Sequence, residues 1–300
     1  MNKELEHAYF SFIYKRQFIW YKRFVLEDDP PWTDDPVMSK YKIINMYREL
    51  DRCTKYIIFE IGVLSSREAK LLNIIFFRFF NADQLYQNLG LSPFEKLDAE
   101  MKNKLLQGFA KMRQEEKTLF NPAYIISPGH STMPKHETIL NNLEDVSKNI
   151  SSIVDNIDAS LTPEESFLVL RKIPLVGPFL ACEFWTDLAY IDFFPRHWND
   201  DDFVNIGPGA KWGLEILAGE KLNAKKQWEL LNHLHDVQRD ILPTIHKELN
   251  QELSWEDIAY KKACSNVPYL SLTNIEGALC EFRKYYRLSR GLGRRRHFIS

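Results

Sequence analysis

The stretch IPLVGPFLACEFWTDLAY, residues 173–190, constrains the chain most, because it sets a turn of proline and glycine between two segments of helical pattern. Ahead of it, LTPEES offers Thr162 as a cap, Pro163 at the first helical position and Glu165 to complete a capping box, so a helix starts there and ends near Lys172. Pro178 opens the next helix, which can run to about Tyr190. The predicted unit is a helix, a short hairpin and a helix. Gly177 and Pro178 leave the first N–H groups of the second helix pointing outward, where amides and helix dipole suit an anion. A glycine also lets another backbone come close, since no Cβ intervenes.

Elsewhere the chain shows little strand character and no internal repeat. Asp35 and Pro36 form a cap followed by proline, and KYKIINMYRELDR (40–52) continues at helical spacing, so a helix is predicted across this block. Ser254 with Asp257 is a weaker start signal of the same kind. Loops are expected at 26–36, 121–137 and 190–202, none of them a Gly/Ser linker. With 300 residues, 45% of them hydrophobic, a sizeable core is affordable. The expectation is a single all-α domain over 1–300, two lobes meeting at a cleft, with the hairpin lobe at about 157–245 packed against 1–156 and 246–300. YIIFEIGVL (56–64) and LLNIIFFRFF (71–80) are too short, and too interrupted by Glu60 and Arg78, to span a bilayer, and read as buried core helices. MNKELEHAYFSF lacks a signal-peptide layout. Cys53, Cys182, Cys264 and Cys280 are far apart with no CxxC spacing, which argues against a disulfide framework or a zinc knuckle and fits a reducing, cytoplasmic setting.

A formal charge of −2 gives no global signal for nucleic acid, so that case rests on local charge. The segment 283–298 is basic and interleaved with Tyr285, Tyr286 and Phe298; Arg287, Arg290, Arg294, Arg295 and Arg296 are candidate DNA contacts. In YKRQFIWYKRF (14–24), Arg16, Gln17 and Arg23 are candidates for phosphates, while Phe18, Ile19 and Phe24 are assigned to the core. On a helix over 36–52, Tyr41, Asn45, Arg48 and Arg52 would share a face, with Ile43, Met46 and Leu50 on another. A ring to stack on, an amide to read a base edge and two guanidinium groups are what a pocket for an extruded base needs. Asp51 belongs to the same candidate pocket; the face also reads as solvated, with ion pairs to Glu49 and Asp51. Trp32, Asp34 and Asp35 would form one wall, or Trp32 simply pins the loop. His233 and His235 fall on different helix faces and suggest no metal site; His130 and His136 lie in a loop that could cover the pocket. The pattern GxxxxGK[ST], which cradles nucleotide phosphates, is absent from the sequence.

The hairpin resembles the helix-hairpin-helix of DNA-repair glycosylases, whose turn reads Leu-Pro-Gly-Val-Gly; here it is Ile173, Pro174, Leu175, Val176, Gly177, with Leu175 at the first glycine. The resemblance implies that Val176, Gly177 and Phe179, together with Lys211, contact DNA. It also implies a catalytic aspartate after the second helix: Asp202 is preferred, then Asp201, with Asp200 beside them. Such a carboxylate would stabilise the oxocarbenium character that develops when a base–sugar bond breaks; alternatively the three acids merely cap the following helix. Phe179 stands where bifunctional members carry a lysine, so a water-using, monofunctional enzyme is implied. No cofactor is expected beyond, at most, a structural monovalent cation at the hairpin.

A second resemblance covers nearly the whole chain. PPWTDDPVMSKYKIINMYRELDR (30–52), the 173–190 stretch, DDDFVNIGPGAKWG and NIEGALCEFRKYYR (274–287) are similar, in order, to the alpha-glutamyl/putrescinyl thymine pyrophosphorylases, a family that shares its fold with the helical domain of 5-hydroxymethyl-deoxyuridine DNA kinases. The resemblance implies double-stranded DNA with modified pyrimidines as partner, in phage-related settings. The preferred expectation is a monofunctional glycosylase that excises a hypermodified pyrimidine. The alternatives are a transferase acting on the base's 5-substituent and a non-catalytic reader of modified DNA.

Overall fold

Side-chain oxygens set the helix starts in the computed structural model, which describes residues 2–121, 132–261 and 268–293. Asn2 accepts from the Glu4 and Leu5 amides to begin α1 (Lys3–Phe24). After α2 (Arg52–Tyr56) and a π-helical turn at Ile57–Ile61, Ser66 caps α3 (Arg67–Phe80). There follow α4 (Leu85–Leu89), α5 (Ala99–Gln114), α6 (Lys135–Lys148), α7 (Ile150–Ala159), α8 (Pro163–Arg171) and α9 (Pro178–Tyr190). The chain continues with α10 (Pro208–Ala218), α11 (Ala224–Glu248), α12 (Trp255–Ile258) and α13 (Leu272–Leu288). No strand occurs among the described residues, so the protein is all-α as expected.

The chain divides into two compact units, one made of Met1–Asp51 and Ile206–Ser300, the other of Arg52–Asn205. This partition differs from the expected hairpin lobe at 157–245, because α10 and α11 belong with α1 and α13 rather than with α8 and α9.

In the unit 52–205, α3 is buried on every side from Leu71 to Phe80, as its largely apolar run predicts. Two polar residues inside that run need partners, and both have them. Asn73 accepts from the Tyr86 hydroxyl at 2.6 Å and from the Phe94 amide at 3.1 Å, and donates to the Ala69 and Phe94 carbonyls. Arg78 makes a bidentate pair with the fully buried Asp187 of α9, at 2.6 and 2.8 Å, and donates also to Asn81 and Thr54. The expectation of a buried core helix at 56–64 is corrected. The segment widens into the π turn, with Ile57 and Ile61 buried but Phe59 and Val63 exposed. A Cβ on Gly62 would lie 2.5 Å from the Ile58 carbonyl and 2.8 Å from Ile191, so this close approach requires glycine.

The Thr162 cap of α8 is as read, but Glu165 bonds the amide one residue before the cap and not that of Thr162 itself, so the expected capping box does not close. Thr162 accepts from the Glu165 amide at 3.2 Å, and Glu165 reaches back to the Leu161 amide at 2.7 Å. Between α8 and α9, Leu175 sits at φ 66°, the left-handed conformation that glycine adopts without penalty. Leu175→Val is therefore expected to be less stable than Leu175→Gly by about 1 kcal/mol, since a β-branched side chain fits that region worst. Urea midpoints compare the two, and the opposite order would refute the left-handed turn.

In the unit 1–51 with 206–300, α1 buries Tyr9, Phe10, Phe12, Ile13 and Tyr14, and the Tyr9 hydroxyl donates to the Ile275 carbonyl of α13 at 3.0 Å. Helices α10 and α13 approach through glycine: a Cβ on Gly213 would stand 2.5 Å from the Leu279 carbonyl oxygen, and one on Gly209 2.3 Å from Cys280 Sγ. The helix predicted over 36–52 does not form. Asp35 caps one turn, accepting from Val37 and Met38 at 3.0 and 3.1 Å, after which the chain runs irregularly to a 3₁₀ turn at Arg48–Leu50. Side chains from α1 and α13 take the backbone bonds that a helix would use. Arg16 donates to the Ile43 carbonyl, Glu281 accepts the Ile44 amide, Asn274 accepts the Arg48 amide, and Lys284 donates to the Lys42 carbonyl.

Candidate nucleic-acid interface

Because 36–52 is not a helix, Tyr41, Asn45, Arg48 and Arg52 do not share a face, and the proposed pocket is corrected residue by residue. Arg52 begins α2 in the other unit, where it is exposed and pairs with Asp83 at 3.1 Å. Arg48 lies in the 3₁₀ turn beside Glu49, whose carboxylate receives Asn274 Nδ2 at 3.2 Å. Tyr41 is half-buried and Asp34 exposed. Trp32 donates its indole N–H to the Asp28 carbonyl at 2.7 Å and lies under Arg23, so it pins its own loop.

Two of the predicted pocket residues do come together, in a relay the sequence did not suggest. Arg16 Nη2 donates to Asn45 Oδ1, and Asn45 Nδ2 donates to Asp51 Oδ1, each at 2.8 Å. Burial pushes the Arg16 guanidinium down to about 10, against the opposing pull of Asp51 and Glu281. Arg16 is thus spent inside the unit and is no phosphate contact. Gln17 is corrected likewise: it is fully buried and donates to the Ile258 carbonyl at 2.8 Å. Phe24, assigned to the core, is 58% exposed. The nearby Asp35 accepts from Tyr285 at 2.8 Å; burial, and then this carboxylate, raise the tyrosine's pKa.

In the hairpin, Val176 is buried and Phe179 exposed, and a Cβ on Gly177, the cap of α9, would meet nothing within 4 Å. Asp201 and Asp202 are exposed in a turn between α9 and α10. Asp202 accepts from the Asn199 amide at 2.8 Å, and the Asp201 amide donates to Asn199 Oδ1 at 2.8 Å. Neither opens a helix, since Gly207 caps α10, while Asp200 is buried. His136 is not in a covering loop but in the first turn of α6, buried against Phe109. His130 and Arg294, Arg295 and Arg296 lie outside the described residues. His233 binds Glu6 at 2.7 Å, and no group of potential metal ligands is assembled among the described residues. No helix among them is long and apolar enough to cross a membrane.

The surface that gathers cations is α13 with α10. Arg283 and Arg287 lie one turn apart and line two depressions, of about 440 and 600 Å³. Arg283 lies over the Trp212 ring at 4.0 Å from its centroid, and Trp212, next to Lys211, is 42% exposed. Sequence reasoning missed Trp212, and took Arg283 only as part of a basic run; the i, i+4 spacing of Arg283 and Arg287 was the available signal.

Comparison with known proteins decides the family. The family described as "5-hmdU DNA kinase, helical domain" matches residues 3–292. The chain belongs to this family. Among curated proteins, the 5-hmdU DNA kinase of Bacillus phage SP10 is 30% identical over 304 residues, covering 95% of this chain and 45% of the phage protein. The chain therefore spans less than half the length of that relative. No solved structure matches. Membership in the 5-hmdU DNA kinase helical-domain family overturns the glycosylase expectation. The relative is named a kinase, a group-transfer enzyme, whereas excision is hydrolysis of the base–sugar bond, so Asp202 and Asp201 lose the catalytic role assigned to them.

Proposed function

We propose that this chain serves an enzyme that transfers a group onto the 5-substituent of hydroxymethyluracil in DNA and leaves the base–sugar bond whole. In this reading the oxygen of the 5-hydroxymethyl group is the nucleophile, it bonds to the transferred group as that group leaves its donor, and the hydroxyl proton passes to a base. The match over 3–292 to the helical domain of 5-hmdU DNA kinases carries the proposal. The sequence holds no GxxxxGK[ST] loop, and more than half of the phage relative lies beyond the matched part, so the reading assigns to this chain the DNA and its modified base rather than a nucleotide donor. Lys211 and Arg287 on α10 and α13, and the exposed hairpin with Gly177 and Phe179, are its proposed DNA contacts.

The test is binding of the purified chain to duplexes that carry either thymine or 5-hydroxymethyluracil at one position. A single hydrogen bond to the added hydroxyl, at about 1 kcal/mol, predicts roughly fivefold tighter binding to the modified duplex. The DNA should stay intact through hot alkali. Equal affinity for the two duplexes, or alkali-labile sites, would overturn the proposal.

A further inference from the structure

We infer that Trp212, Arg283 and Arg287 form a subsite for one unpaired nucleotide of a DNA strand, its phosphate held between the two guanidinium groups and its base set against the indole. The inference rests on the reading that this chain handles DNA, and it names where a nucleotide sits.

Charge is the first support. Depression by depression, the acids are already engaged: Glu215 holds Lys221 at 2.8 Å, Glu220 holds Lys226 at 3.0 Å, and Glu281 holds Lys284 at 3.2 Å. Arg283 and Arg287 have no carboxylate partner among the described residues, although they stand one turn apart on one face. Two like charges on adjacent turns destabilise a bare helix, so the pairing suits an anion that both can reach. Burial, and next the charge of Arg287, lower the pKa of Arg283; a carboxylate neighbour would raise it.

Shape is the second. Arg283 and Arg287 line both depressions, so an anion at these two groups can be reached from each of them. Trp212 lines the one that also contains Ile216 and Gly219. Aromatic rings that accept bases without regard to sequence, set beside cations that follow the backbone, are the usual means of holding single-stranded nucleic acid. A large aromatic side chain left 42% exposed, with a guanidinium stacked on it, matches that need.

The test measures affinity for a single-stranded oligonucleotide, and for a duplex of the same sequence, as a function of salt. Arg283→Gln and Arg287→Gln are each expected to weaken single-strand binding roughly tenfold at low salt and to reduce the salt slope by about one. Arg287→Lys keeps the charge and should keep the slope. Trp212→Ala should weaken the single strand by roughly tenfold while leaving the slope unchanged, and Trp212→Phe should retain most of the affinity. Circular dichroism checks that each variant folds; Arg287→Gln, which alters no contact between helices, keeps the test decisive if Trp212→Ala does not. Wild-type affinities and slopes in the arginine variants would overturn the inference, and a silent Trp212→Ala would overturn its base-stacking half. If these losses appear while thymine and hydroxymethyluracil duplexes bind equally, the subsite stands and the proposed substrate falls.

Discussion

Asp187→Ala is expected to cost the protein about 3–5 kcal/mol of stability, the largest loss from any single change considered. Asp187 is fully buried and Arg78 has only 3% of its side chain exposed, so their bidentate pair stands in the apolar centre of its unit, between α9 and α3. Such a pair gains little over a hydrophobic pair of the same shape, since removing two charges from water offsets most of their attraction. Breaking it is another matter. The guanidinium would keep its bonds to Asn81 and Thr54, but the nearest remaining carboxylate, Glu183, is 3.9 Å away. Asp187→Asn should cost less than Asp187→Ala because the amide oxygen still accepts one bond. The double variant Arg78→Met with Asp187→Leu should recover most of the loss. Urea midpoints measure all three, and a loss below about 1 kcal/mol for Asp187→Ala would show that the pair is not closed to water.

Gly213→Ala should lower stability by about 2 kcal/mol, whereas Gly277→Ala, on the partner helix, should raise it by roughly 0.5–1 kcal/mol. Both glycines lie inside helices, where alanine is the better former by about 1 kcal/mol. The difference is what the new methyl meets. At Gly277 there is nothing within 4 Å; at Gly213 the Leu279 carbonyl oxygen is 2.5 Å away and its carbon 3.0 Å. Backbone atoms cannot rotate aside, so α10 must move off α13. That movement would also part Trp212 from Arg283, so Gly213→Ala tests in one variant whether the close approach of these helices sets the exposed ring under its guanidinium. Thermal midpoints of the two variants should shift in opposite directions, and a shared direction would contradict the interhelical geometry.

These two sites also show which parts of the structure were legible beforehand. Helices α8 and α9 and the turn between them could be read because every signal there is local: a cap, a proline at the first helical position and a glutamate that returns to a nearby amide. The all-α class followed for the same reason. The 36–52 segment failed by the opposite logic. Its spacing is helical and its cap is real, but the amides of Ile44 and Arg48 are taken by Glu281 and Asn274, 237 and 226 residues away, and a pattern read along the chain cannot see them. Arg16 and Gln17 looked like surface cations and amides for the same reason. Their buried partners come from segments that only folding brings near. Trp212 was silent because nothing in its neighbourhood marks it; its significance comes from Arg283, which reaches it only through the glycine-lined contact of α10 with α13.

The unit that holds Trp212 and Arg283 is assembled from the two ends of the sequence, with the other unit's residues 52–205 entered between them. The partners of the buried face of α1 include residues late in the chain: Tyr9 bonds Ile275, which is 266 residues further on, and Gln17 bonds Ile258. During synthesis α1 therefore emerges well before these partners, its five buried aromatic and aliphatic side chains uncovered while the whole intervening unit is made and can close on itself. The order of birth is thus reversed in the order of completion: α1 is made before residues 52–205 yet finds its place after them, and whatever holds the nascent chain in that interval must hold α1.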